Sequence, residues 1–121
     1  EMAKGLGEVL LGINRDPTVG PVVVLGLGGV MAELYSQTAL RLAPVDRASA
    51  LAMIDEVAGL APLKGFRGQP RGDLMALADA VVAFSALAAN PRVLEAEINP
   101  LIVRAEGAGV VAVDGLLRLA D

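Results

Sequence analysis

The chain has 121 residues, 55% of them hydrophobic but only 2% aromatic, and a formal net charge of −4. That is length enough for one domain with an aliphatic core. The acidic balance argues against general nucleic-acid or anionic-membrane binding, though not against a local anion site. Cysteine and histidine are both absent, which excludes disulfides, thiolate metal sites and imidazole chemistry from the chain's own residues.

No apolar run reaches the ~18 residues of a membrane span, and no signal peptide is visible. The expectation is a cytoplasmic protein with no membrane partner. The chain opens on Glu1 and enters a strand almost at once, so it reads as a piece of something larger.

Glu8–Asn14 (E-V-L-L-G-I-N) is predicted as a strand. Arg15 to Pro21 is turn chemistry, Asp-Pro followed by Gly-Pro, and Val22–Leu25 is a short buried strand. Gly26-Leu27-Gly28-Gly29 follows. Glycines after a strand let backbone N–H groups approach a phosphate, which makes Gly28 and Gly29 candidate nucleotide contacts. A tight turn or bulge accounts for the same pattern, and it is not the dinucleotide fingerprint. Val30–Tyr35 and Thr38–Leu42 read as extended, with Ser36-Gln37 as a turn between them. Glu33 and Arg41 are charges in apolar surroundings, read as solvated edge residues.

Asp46 is the expected N-cap of a helix over Arg47–Val57, with Leu51, Ile54 and Ala58 on one face. Gly59–Arg71 is predicted as a loop. It carries Lys64, Arg67 and Arg71, and the glycine-flanked Arg67 can reach a phosphate or carboxylate; solvation is the plainer account. Asp73 caps a second helix, Leu74 to Ala89. Leu77, Ala78, Val81 and Phe84 or Ser85 repeat there with the helical period, so this stripe is core. Asn90-Pro91 ends it.

Val93–Val103 and Gly109–Val113 then read as a hairpin closed by Ala105-Glu106-Gly107-Ala108. If those four form the loop, Arg104 pairs with Gly109 and Asn99 lies opposite Asp114. Alternation puts Glu95, Glu97 and Asn99 on one face, with opposed Cβ atoms about 4.5–5.5 Å apart. An amide oxygen and carboxylates meeting on one patch are the donors a hard cation such as Mg²⁺ takes, alongside phosphates and water. A one-residue slip would send Asp114 to the other face, and acids simply facing water fit the alternation as well. Pro100 cannot donate to a ladder and marks an edge or a bulge. The element order implies an α+β fold: a mostly antiparallel sheet with two helices on one face.

The segments G-I-N-R-D-P-T-V-G-P-V-V-V-L-G-L-G-G-V, R-L-A-P, G-F-R-G, E-I-N-P-L-I-V and V-A-V-D-G resemble the ATP-grasp domain of NDP-forming acyl-CoA synthetases. These are the ADP-forming acetate–CoA ligases, relatives of the succinyl-CoA synthetase β subunit. The resemblance covers essentially the whole chain, and E-I-N-P-L with its downstream V-D is the most specific element. It implies residues 1–121 are the second half of an ATP-grasp domain in a larger acid–CoA ligase, which converts ATP, acid and CoA to acyl-CoA, ADP and phosphate through a phosphohistidine. On this implication Asn99 and Asp114 hold Mg²⁺, Glu97 meets the phosphohistidine segment, and Glu8 matches the glutamate that begins the family's first strand here. ATP or ADP is the nucleotide. The partners are the remaining ATP-grasp half and the CoA-binding and phosphohistidine ligase domains or subunits, with the oligomeric state open. The isolated chain is expected to be inactive.

Three positions depart from the family pattern: Gln37 in place of an aspartate, Val19 in place of a phenylalanine, and Leu6-Gly7-Glu8 with a displaced glycine. They leave open a diverged substrate or a weakened enzyme. Such ATP-grasp-like regions also occur in synthetase-like proteins fused to an acetyltransferase, so a second class of function, a non-catalytic regulatory or binding module, stands beside the enzyme reading.

Overall fold

The computed structural model describes residues 5–28, 38–65 and 68–121. Six strands form one antiparallel sheet: β1 (Gly7–Asp16), β2 (Gly20–Leu27), β3 (Thr38–Leu42), β4 (Val93–Val103), β5 (Val110–Ala112) and β6 (Gly115–Leu119). The order is β3-β2-β1-β4-β5, and β6 also pairs with β4. Two α-helices, α1 (Arg47–Glu56) and α2 (Leu74–Ser85), lie between β3 and β4 in sequence. The architecture is the α+β arrangement expected from the element order.

Alternation builds the core. Val9, Leu11 and Ile13 of β1 and Val23 and Leu25 of β2 are fully buried in one cluster with Ala50, Met53, Leu77, Ala78 and Val81 of the helices. Among the described residues no helix packs on the opposite face of the same strands. Cross-strand pairing lines its residues up in rows: Leu116, Glu97, Gly12, Val24 and Leu40 in one, and Arg118, Glu95, Asn14, Val22 and Leu42 in the next.

Asp46 and Asp73 cap the helices as their sequence positions imply, accepting hydrogen bonds from Ser49 N and Ala76 N at 2.8 and 3.1 Å. α1 ends at Glu56, so Ala58 lies beyond it and is exposed; Ile54 is buried as expected, together with Ala50 and Met53, and Leu51 is partly buried against the core. The segment expected to be wholly loop contains a 3₁₀ helix, Ala58–Lys64, that buries Leu60 and Leu63. The second helix leaves the α geometry at Ser85 and finishes as a 3₁₀ turn, Ala86–Ala89. Ser85 is buried because its hydroxyl donates to Val82 O and accepts from Val45 N. Arg41 is not merely solvated: its guanidinium pairs with Glu56.

The β1–β2 turn is tighter than expected. Only Pro17, Thr18 and Val19 lie outside the strands, and Asp16 Oδ1 accepts from Thr18 N and Val19 N. Arg15 reaches across to three carbonyls, donating to Val93, Ala88 and Asn90 O at 2.7–2.9 Å. It thereby ties β1 to the end of the second helix. The readings of Val30–Tyr35, Glu33 and Ser36-Gln37 fall outside the described residues.

Candidate nucleotide and metal site

The hairpin register is the one that places Asn99 against Asp114. Leu101, Ile102 and Val103 pair with Ala112, Val111 and Val110, and Ile98 pairs with Gly115. Between these two ladders Asn99 N donates to Asp114 O and Val113 N donates to Pro100 O, each at 3.1 Å. Arg104 N donates to Gly109 O, and both Gly107 (φ 90°) and Gly109 (φ 83°) adopt positive φ to close the turn.

The site sits at an irregularity in both strands. Against β1 the register shifts between Val9/Leu101 and Leu11/Ile98, so Asn99 and Pro100 together face Leu10. This is a bulge in β4, as the missing proline N–H requires of a strand with partners on both sides. On the other side β5 ends at Ala112 and β6 begins at Gly115, leaving Val113 and Asp114 outside both strands. Asp114 Oδ1 accepts from Gly115 N at 2.9 Å, which bends the carboxylate back over its own backbone. Bulges commonly re-aim side chains beside functional sites, and here the two interruptions face each other.

Glu97, Asn99, Asp114, Gly115 and Leu116 line a shallow depression of about 220 Å³. Its donors are two carboxylates and one amide oxygen; among the described residues no three histidine, cysteine or carboxylate side chains converge. All three oxygens are hard ligands, and the opening leaves room for the water and phosphate oxygens that complete a Mg²⁺ shell. The donor set therefore fits Mg²⁺ carried in by a nucleotide better than a protein-caged ion.

The turn below the site is held by the cap of α2. Besides Ala76 N, Asp73 accepts from Gly109 N at 2.9 Å and Gly107 N at 3.1 Å through its second oxygen. Those backbone donors, from Ala76 first and then Gly109 and Gly107, hold its carboxyl below the usual aspartate range. Asp73 N also donates to Arg104 O. One aspartate thus orients both a helix and the hairpin that carries the site.

Glu8 and Gly28 lie apart from the depression. Glu8 is exposed and pairs across from Ile102. Gly28 is buried, its N–H donates to Glu8 O at 2.9 Å, and an added Cβ would sit 2.7 Å from Val9 O. Glycine is required there by backbone packing, and its N–H is used within the sheet. Gly29 and Arg67 fall outside the described residues. Sequence reasoning missed Gly115 and Leu116, because β6 was not expected. Extending the same hairpin register past Asp114 would have found it, since the run G-L-L-R-L continues the pairing as far as Arg118.

The profile of the ATP-grasp domain matches residues 1–119. The chain belongs to the ATP-grasp family. It is 38% identical over 112 residues to acetate–CoA ligase [ADP-forming] I of Archaeoglobus fulgidus, covering 92% of this chain and 16% of that protein. Against the acetate–CoA ligase [ADP-forming] I β subunit of Pyrococcus furiosus it is 38% identical over 113 residues, covering 93% of this chain and 48% of the subunit. The ATP-grasp chain superposes with a TM-score of 0.90 on an acetyl-coenzyme A synthetase of Ca. Korarchaeum cryptofilum, at 35% identity, covering 98% of this chain and 55% of that one. That structure holds coenzyme A and Mg-AMPPCP, with its phosphohistidine segment pointing towards the nucleotide binding site. The chain thus spans about half the length of the β subunit and about a sixth of the single-chain ligase.

Proposed function

We propose that this ATP-grasp chain is the Mg²⁺–nucleotide half-site of an ADP-forming acid–CoA ligase. The observation that carries the reading is the pairing of Asn99 with Asp114 across the paired interruptions of β4 and the β5–β6 junction, with Glu97 in the same depression. Asn99 and Asp114 are the metal-holding pair, and bound Mg²⁺ would neutralise phosphate charge at this point. Glu97, one strand repeat away, about 6.5–7 Å along β4, is the catalytic carboxylate: it meets the phosphohistidine, orients the imidazole and stabilises its cationic form. Glu8, Gly28, Gly29 and Arg67 are assigned to the nucleotide's surroundings, Gly28 by shaping backbone rather than through its N–H.

The remaining ATP-grasp half is assigned to the face of the sheet opposite α1 and α2. Leu40 and Leu42 are 55% and 56% exposed there, beside Val19 at 55%, an apolar surface suited to a covering body. The CoA-binding and phosphohistidine domains or subunits complete the protein, and its setting is the cytoplasm.

Two substitutions in the whole protein separate the roles. Asp114→Asn removes an anionic ligand and should raise the Mg²⁺ concentration needed for protein phosphorylation from labelled ATP; an unchanged Mg²⁺ dependence would take Asp114 out of the site. Glu97→Gln should cut histidine phosphorylation about 100-fold, within the range of a general acid–base group, while calorimetry with a Mg²⁺–ATP analogue shows near wild-type affinity. If affinity falls with the rate, Glu97 is a ligand and not the catalytic group.

A further inference from the structure

The face that carries Glu97 also carries a cation. Arg118 of β6 pairs directly across from Glu95 of β4, and its Nε donates to Glu95 Oε1 at 3.1 Å. Glu95 accepts from this guanidinium, whose side chain is 61% exposed against 37% for Glu95. Glu97 pairs with Leu116, which makes Arg118 its diagonal neighbour. Diagonal Cβ atoms on a sheet face stand about 7–8 Å apart, within reach of a long side chain. Arg118 therefore has two carboxylates to choose between, and in this structure it sits on the one farther from the metal pair.

We infer that Glu95 is a positioning residue: by holding Arg118 it keeps that guanidinium off Glu97, so the negative charge of the depression stays open to an incoming cation. The inference rests on the metal-site reading above. Its strength lies in the spacing. Glu95 is four residues from Asn99, about 13–14 Å along the strand, whereas Glu97 is about 7 Å away. The screening length at physiological salt is about 8 Å. Arg118 on Glu95 is thus outside the range at which it opposes a cation at Asn99 and Asp114, and on Glu97 it is inside. An exposed ion pair of this kind adds little to stability; what it sets is where the positive charge rests.

The test uses Mn²⁺ alone as the probe, titrated by electron paramagnetic resonance into the whole protein. Glu95→Gln should weaken Mn²⁺ binding about two- to threefold, the size of one unit charge brought to about 7 Å from a divalent ion in water and reduced by screening at physiological salt. Adding Arg118→Leu to that variant should restore wild-type affinity, because the displaced cation is gone. A crystal structure of Glu95→Gln should show the Arg118 guanidinium on Glu97. Glu95→Gln binding like wild type, or a double variant as weak as the single one, would overturn the role given to Glu95. A wild-type protein that bound no Mn²⁺, with Asp114→Asn equally inert, would instead overturn the metal site itself.

Discussion

The two faces of the sheet are made from alternate residues of the same strands, yet they are held to different rules. On β1, Val9, Leu11 and Ile13 are fully buried beneath the helices; on the other face Glu8 and Asn14, which flank them, are exposed, Leu10 is half-buried, and Gly12 is buried. The covered face is filled at its centre by apolar side chains, and its charged residues, Arg15 and Arg41, are satisfied by carbonyls and by Glu56. The open face tolerates carboxylates, an asparagine, a glycine opposite Glu97 and large apolar residues left uncovered. Function collects on the second face because burial makes no demand there that a charged donor set would violate. The covered face contributes a rigid platform, and the bulge at Asn99-Pro100 is where the platform turns ligand atoms outward.

The comparison is broken most sharply by truncating one residue on each side. Leu11→Ala should cost about 3–5 kcal/mol through lost burial and the cavity left behind. Leu10→Ala, its neighbour on the open face, should cost about 1 kcal/mol or less. Urea unfolding of the two variants measures the difference, and equal losses would mean the faces are not distinct.

Gly28→Ala comes next. Its Cβ would press on Val9 backbone, 2.7 Å from the carbonyl oxygen, where no flexible side chain can yield. A loss of about 1–3 kcal/mol is expected from the forced backbone shift, read as a lower thermal midpoint. A variant as stable as wild type would show that the β1–β2 edge relaxes freely.

A smaller effect is expected in the pH dependence that Asp73 contributes. Its folded carboxyl titrates below the unfolded one because Ala76, Gly109 and Gly107 N–H groups point at it. The stabilisation is complete above the ordinary aspartate range and is lost as pH falls through the depressed folded value. Asp73→Asn keeps a capping oxygen but has no proton to bind, so the fall in urea midpoint on acidification should flatten. A slope identical to wild type would assign the acid sensitivity to other carboxylates, such as Asp46.

The smallest change should come from the site itself. Asp114→Asn keeps an oxygen for Gly115 N and lies on the exposed hairpin, so the thermal midpoint should move by less than about 2 °C. A larger drop would mean Asp114 is structural, and the functional contrast between the faces would weaken.

Much of this was legible in the residue pattern, for physical reasons that are local. β4 could be read to its ends because β-branched and apolar residues recur from Val93 to Val103, alternating with Glu95, Glu97 and Asn99, between turn residues. The two helix starts followed from Asp46 and Asp73, whose side chains bond the next turn whatever packs around them. Asn99 against Asp114 followed from a four-residue turn and the two-residue period of a strand. Tertiary structure decided what no local pattern encodes. The helix face of α1 turned on where the helix stops, and the chain from Ala58 to Lys64 folded into a 3₁₀ helix to bury Leu60 and Leu63. Arg15 found its carbonyls 73 to 78 residues away, and Asp73 came to hold the hairpin turn as well as its own helix. β6 took its place because β4 is long enough to hold two short strands end to end on one edge. That pairing brought Arg118 beside Glu95 and Leu116 beside Glu97. Turn geometry and alternation act over a few residues and so can be read from sequence, whereas burial and distant hydrogen bonds depend on which surfaces the folded chain brings together.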